Sequence, residues 1–240
     1  MERWRRTYRL GDTVAVKSAL RLAALLFVAA CAAHVPVNRY GLQVVPDTAT
    51  YRRLAEARPD TRLVDVETLG IPIDIRYATA DNFMKRPLYP VAKAYLRAPA
   101  ARALAEASRE LAGRGLGVKV YDAYRPYRVT EAMWEPIRNP DYVADPAKGS
   151  RHNRGAAVDL TVIDLKTGAE VTMPTGYDDF TERAAQSFAD LPPEAIANRA
   201  LLRDVMTKHG FEPLPSEWWH FDFKGWREFD LMDVPLEELP

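Results

Sequence analysis

The sequence predicts an α+β domain with a central, mostly antiparallel sheet flanked by helices, on three observations. Runs with the two-residue alternation of strands, or short apolar runs, fall at 61–78, 118–124, 156–164 and 217–223. Two stretches with the wider helical period, 99–112 and 194–209, are set among them. The two kinds of segment mix without a regular strand–helix–strand beat, which argues against a parallel α/β sheet.

Each element has a local reason. Asp47 or Thr48 caps a short helix that runs to about Ala57, just ahead of Pro59. Leu63-Val64-Asp65-Val66 and Ile71-Pro72-Ile73-Asp74-Ile75 alternate apolar and polar residues as strands do. In 99–112, Pro99 suits a first turn. Ala101, Leu104, Ser108 and Leu111 form one stripe, and Gly113 and Gly115 end the helix. A strand over Val118–Tyr124 stops at Arg125-Pro126, because a residue before proline is held extended. A short helix from Val129 to Met133 runs up to Pro136. In 194–209, Ile196, Ala200, Val205 and Met206, joined by Leu201 and Leu202, line one face, and Gly210 closes it. The acidic, proline-bounded tail from Val234 reads as a surface arm.

A chain of 240 residues, 48% hydrophobic, can build one good-sized core, so a single catalytic domain is expected over 60–240. Lys+Arg and Asp+Glu balance at 33 each, which leaves no electrostatic footprint for nucleic acid. Ahead of the domain, basic residues from Arg3 to Arg21 precede the apolar run Leu22–Ala30. That pattern describes an export signal, and the run is short of the ~20 residues that span a bilayer. Val28-Ala29-Ala30-Cys31 resembles a bacterial lipobox, in which Cys31 is lipidated and becomes the mature N-terminus. The expected location is the cell envelope, as a periplasm-facing lipoprotein that meets the membrane through its signal or lipid anchor. Residues 32–59 are expected to be a tether and a short helix. Cys31 is the one cysteine, so neither an intrachain disulfide nor a cysteine-held structural zinc site is available.

Four histidines are present: His34, His152, His209 and His220. His209 lies in the last helical turn, where it favours the helix dipole, and it and His34 read as structural. The other two stand beside carboxylates, in Ser150-Arg151-His152-Asn153-Arg154-Gly155-Ala156-Ala157-Val158-Asp159 and in Glu217-Trp218-Trp219-His220. On a straight strand seven residues span about 23 Å. His152 and Asp159 therefore share an ion only if the chain folds back, and Asn153-Arg154-Gly155 supplies the turn chemistry. His220 completes a His/Asp/His set. Three protein ligands plus water is the open arrangement of catalytic zinc, although imidazole and carboxylate also suit other divalent ions. Glu217 is the candidate base for a water whose pKa zinc lowers to about 7. Residues three apart face opposite sides of a flat strand, so a bend must precede His220. Arg125, at a strand end, can stabilise an oxyanion.

Ser150-x-His152-x-x-Gly155-x-Ala157-x-Asp159, followed by Glu217-x-Trp219-His220, resembles the VanX-like D-alanyl-D-alanine dipeptidases, a zinc metallopeptidase family with the fold also used by DD-peptidases and hedgehog-type domains. Arg76–Phe83, Asp122-Ala123-Tyr124-Arg125-Pro126 and Arg203–Phe211 strengthen the likeness, which covers roughly residues 60–225. The resemblance implies hydrolysis of D-alanyl-D-alanine in cell-wall peptide turnover or salvage. It implies one zinc per chain on His152, Asp159 and His220, with Glu217 as base and Arg125 as transition-state stabiliser. Ser150 would meet the substrate carboxylate and Asp178 the substrate amine. Pro174 stands where the family often has glycine, and Met84-Lys85-Arg86-Pro87 lacks a usual glycine, which bear on Asp178 and on the pocket rim. The alternatives are a D,D- or L,D-carboxypeptidase or endopeptidase acting on longer peptides, and a non-catalytic zinc-fold binding module. Glu217 and Arg125 count against the last, because binding alone needs neither.

Overall fold

The computed structural model describes residues 35–140 and 142–240. The export segment, Cys31 and His34 lie outside the described residues. In chain order the strands are β1 (Val44–Val45), β2 (Leu63–Asp65), β3 (Tyr95–Arg97), β4 (Leu116–Asp122), β5 (Ala157–Asp164), β6 (Phe211–Pro213), β7 (His220–Phe223) and β8 (Leu231–Met232). The α-helices are α1 (Thr48–Ala57), α2 (Ala98–Ala112), α3 (Tyr127–Ile137) and α4 (Pro193–Lys208).

The central sheet has the order β4-β5-β7-β6, with every neighbouring pair antiparallel. This is the α+β architecture expected. β5 is buried from Ala157 to Ile163, with Asp159 and Thr161 the two polar residues among five apolar ones. Its register sets the site: Asp159 pairs with His220 on one side and with Asp122, beyond an irregularity in β4, on the other. Helix α2 packs against β4 through Ala101, Leu104, Ala107 and Leu111, each at most 1% exposed. At the 25 cal/mol per Å² typical of apolar burial, each such leucine contributes about 1.5–3 kcal/mol.

Several expectations are corrected. Ile71–Ile75 forms no ladder: Pro72 has no N–H to give, and only an isolated Ile73–Val120 bridge docks the segment on β4. Helix α3 runs past Pro136 and ends at Arg138, which takes a left-handed conformation. In α4 the inward face is Ala195, Arg199, Leu202, Val205 and Met206, while Ile196, Ala200 and Leu201 are half-buried. Arg199 can face inward because its guanidinium donates to the carbonyls of Ala185 (2.9 Å) and Phe188 (2.8 Å).

Both ends of the described chain belong to the body. Part of the stretch read as a tether forms β1, which pairs in parallel with β8. The tail read as a surface arm buries Val234, Leu236 and Leu239 and turns Glu237 and Glu238 outward. Tyr124 clasps it, donating its hydroxyl to the Val234 carbonyl (2.9 Å) and accepting the Val234 N–H (2.8 Å).

Candidate metal centre and catalytic cavity

A tight turn returns His152 to the strand that follows it. Residues His152–Arg154 make one 3-10 turn, closed by Gly155 at φ +66°. Asn153 braces the turn from within: Oδ1 accepts the Ser150 N–H at 2.8 Å, and Nδ2 donates to the Arg125 carbonyl (2.9 Å) and Thr130 Oγ1 (2.8 Å). The chain then enters β5 and delivers Asp159. On the other side, the Glu217 N–H donates to the Leu214 carbonyl in a turn that ends before β7. Glu217 thereby leaves the strand plane, as the three-residue spacing required, and its Oε2 lies 3.9 Å from His220 Nδ1.

Three donor atoms converge. His152 Nε2 is 3.2 Å from His220 Nδ1 and 3.4 Å from Asp159 Oδ1, and His220 Nδ1 is 3.0 Å from Asp159 Oδ1. All three residues are buried, and together they form a group able to hold an ion. A tetrahedral centre with bonds of about 2.0–2.1 Å has its donors about 3.3 Å apart. These three atoms have the spacing of one face of that tetrahedron, and all three residues line one cavity.

The remaining polar atoms of the triad are engaged away from that centre. His152 Nδ1–H donates to the Ala123 carbonyl at 2.7 Å, which leaves Nε2 as the free lone pair. His220 Nε2–H donates to Asp222 Oδ1 at 2.9 Å, which leaves Nδ1. Asp159 Oδ2 accepts the Tyr177 hydroxyl at 2.9 Å, which leaves Oδ1. Such outer contacts fix the tautomer and orientation of metal-binding side chains. The residues therefore fit a divalent ion in ligand type and spacing.

The D-ala-D-ala dipeptidase family model, Peptidase_M15, matches residues 60–231. The chain belongs to this family. Among its relatives, the D-alanyl-D-alanine dipeptidase of Escherichia coli (strain K12) is 37% identical over 174 residues, covering 72% of this chain and 90% of that protein. The enzyme of the same name from Enterococcus faecium is 31% identical over 175 residues, covering 63% and 85%. That of Streptomyces coelicolor is 30% identical over 185 residues, covering 69% and 92%.

In this Peptidase_M15 member the electrostatics follow from burial beside fixed charge. Burial pushes the Asp159 carboxyl up, but His152 and His220 outweigh it and hold the group well below the usual range. Burial pulls the His220 imidazole down, and its bonds to Asp159 and Asp222 lift it well above its ordinary value. Glu217 is raised to about 7, mainly by burial, against the pull of His220. Asp178 is raised to about 8, by burial and then by the Asp159 charge.

A cavity of about 320 Å³ opens in front of the triad, and Arg125, Ser150, Asp178 and Glu217 all line it. Arg125 is 7% exposed and donates from Nε (3.0 Å) and Nη2 (2.6 Å) to Asp122 Oδ2. Asp122 Oδ1 accepts the Tyr89 hydroxyl at 2.7 Å, so both carboxylate oxygens of Asp122 are engaged. Burial works against the guanidinium, but Asp122 outweighs it and keeps the charge on Arg125. The Ser150 Oγ accepts the His152 N–H at 3.2 Å, which leaves its own hydrogen to give. Asp178 sits at φ +59°; its Oδ1 accepts the Tyr77 hydroxyl at 3.1 Å and its Oδ2 is buried without a partner. Lys85, in the rim segment that lacks the usual glycine, takes the left-handed conformation a glycine would favour, at φ +53°. Three aromatic side chains form one wall of the cavity: Phe180 meets Phe83 edge-on at 5.3 Å and stacks on Tyr142 at 5.0 Å.

The sequence motifs include Asp122 and Tyr77 without giving either a role, and they omit Asp222 and Tyr177. Asp222 carried a signal, since it is two residues from His220 on a strand and so shares its face. Asp122, three residues before Arg125, carried a weaker one. The tyrosines are set by loops whose paths no local pattern dictates.

Proposed function

We propose that this chain hydrolyses D-alanyl-D-alanine with one zinc ion on His152, Asp159 and His220. The observation that carries the reading is the three buried donor atoms at 3.0–3.4 Å spacing, with the Glu217 carboxylate 3.9 Å from one of them. Zinc, when bound, supplies Lewis acidity toward a water and a peptide carbonyl. Glu217 takes the proton from the attacking water and passes it to the leaving amine, and a carboxyl near neutrality is suited to both steps. Arg125, charged and held rigid by Asp122, stabilises the oxyanion that develops on the carbonyl. The buried, unpartnered Oδ2 of Asp178 fits the substrate ammonium, because burying it alone costs free energy that a cation would offset. The free hydroxyl hydrogen of Ser150 fits the substrate carboxylate.

Asp178, which lines the same cavity as the three donor residues and leaves a buried oxygen suited to a free ammonium, supports a dipeptide over the longer peptides of a carboxypeptidase. A panel of D,D, L,D and L,L dipeptides and a D-Ala-D-Ala-terminated pentapeptide, run with zinc analysis, tests the reading. It predicts one zinc per chain and the fastest turnover with the D,D dipeptide. Preference for the pentapeptide, or zinc binding with no hydrolysis, would refute it. The basic and apolar pattern of residues 1–31 supports an envelope location with a lipid on Cys31. A mature mass that retains residues before Cys31 and carries no lipid would overturn that part.

A further inference from the structure

Asp159 has two carboxylate oxygens, and the three-donor face uses one. Oδ1 lies 3.0 Å from His220 Nδ1 and 3.4 Å from His152 Nε2, whereas Oδ2 accepts the Tyr177 hydroxyl at 2.9 Å. The Tyr177 ring is held on three sides. It lies 4.7 Å from Tyr121, 5.6 Å edge-on from Trp219 and 6.0 Å from Tyr77. A donor fixed this firmly cannot follow a carboxylate that rotates, so it sets the carboxylate's orientation instead.

Resting on the zinc reading, we propose that Tyr177 is a positioning residue that makes Asp159 a one-oxygen ligand and so keeps a coordination position free for water and substrate. The physical argument is competition for Oδ2. While that oxygen accepts the phenol, turning it toward the ion breaks a part-buried hydrogen bond to the fixed hydroxyl. Without the phenol nothing opposes the turn, and the second oxygen moves toward the position that the reaction needs. Tyr77 holds the neighbouring carboxylate in the same way, taking Asp178 Oδ1 and leaving Oδ2 to the cavity. Tyr177 and Asp178 are consecutive, and the left-handed backbone at Asp178 lets one residue address the metal ligand and the next the amine end of the cavity.

The test is Tyr177→Phe, which removes one oxygen and keeps the ring. Zinc affinity is measured by chelator competition, the coordination number from the visible spectrum of the cobalt(II)-substituted protein, and folding from thermal unfolding of the metal-free protein. The expected result is a 10–100-fold loss of zinc affinity, the range typical of outer contacts to metal ligands. The cobalt absorption should weaken as coordination rises from four to five, with the metal-free protein still unfolding cooperatively. Tyr77→Phe should hold zinc affinity within about twofold of the parent while raising KM. Unchanged affinity and an unchanged cobalt spectrum in Tyr177→Phe would overturn the proposal, as would an equal affinity loss in Tyr77→Phe. The unmodified protein supplies a second check, since a five-coordinate cobalt spectrum there would also overturn it. Failure of the zinc reading itself looks different: the unmodified protein would bind less than one equivalent.

Discussion

Gly155 joins the two halves of the metal centre, and replacing it with alanine should damage stability and zinc binding together. Its backbone is left-handed at φ +66°, which costs a residue with a Cβ about 1–2 kcal/mol. The added Cβ would also stand 2.7 Å from Leu63 Cδ2, in a buried contact that must open. Overpacking of this kind costs about 1–3 kcal/mol more. Gly70 is the matched control: it has φ +74° and nothing within 4 Å of its Cβ, so Gly70→Ala carries the backbone cost alone. Thermal unfolding of the metal-free proteins should place Gly155→Ala below Gly70→Ala by about 1–3 kcal/mol, at least ~2 °C in Tm for a domain of this size. Because Gly155 sets how His152 folds back toward Asp159, zinc affinity should fall in Gly155→Ala alone. Equal Tm values for the two variants, with zinc affinity unchanged in both, would refute the reasoning.

Further outcomes follow from the same geometry. Glu217→Gln should lower kcat by about 10²–10⁴ while zinc content by mass spectrometry stays at one per chain, since Glu217 stands outside the three-donor face. The kcat/KM profile should fall on its acid side as Glu217 takes up a proton and can no longer act as base. That limb should lie above the ordinary carboxylate value of about 4.3 and no higher than about 7, because burial raises the group and a bound cation pulls it back. Phe180→Ala should raise hydrolysis of N-acylated D-Ala-D-Ala relative to the free dipeptide about tenfold or more, by opening the aromatic wall. Tyr124→Phe should cost about 2–4 kcal/mol in urea unfolding, because it leaves the buried N–H and carbonyl of Val234 without partners.

What was legible in the sequence was what local chemistry decides. The turn residues after His152, the apolar run of β5 and the need for a bend before His220 each follow from a few neighbouring positions. Their meeting point then follows from strand register, as the Asp159–His220 pairing shows. What was not legible depends on tertiary contact. The tail from Val234 buries Val234, Leu236 and Leu239 while Glu237 and Glu238 face outward, so its composition suggested a surface arm. In α4, Leu202, Val205 and Met206 are buried as their pattern suggested, but Arg199 shares that face, which a charged residue does not announce, because two loop carbonyls accept its guanidinium. Tyr177 reaches Asp159 from a loop with no periodic pattern, so nothing near it in sequence announces the bond.

Diffraction from crystals grown with zinc, recorded above and below the zinc absorption edge, would show where the ion sits. The account predicts one anomalous peak, within about 2.0–2.2 Å of His152 Nε2, Asp159 Oδ1 and His220 Nδ1, with Glu217 farther away. A zinc-loaded crystal with no peak among these three atoms, or with its ion held by a different set of side chains, would contradict it.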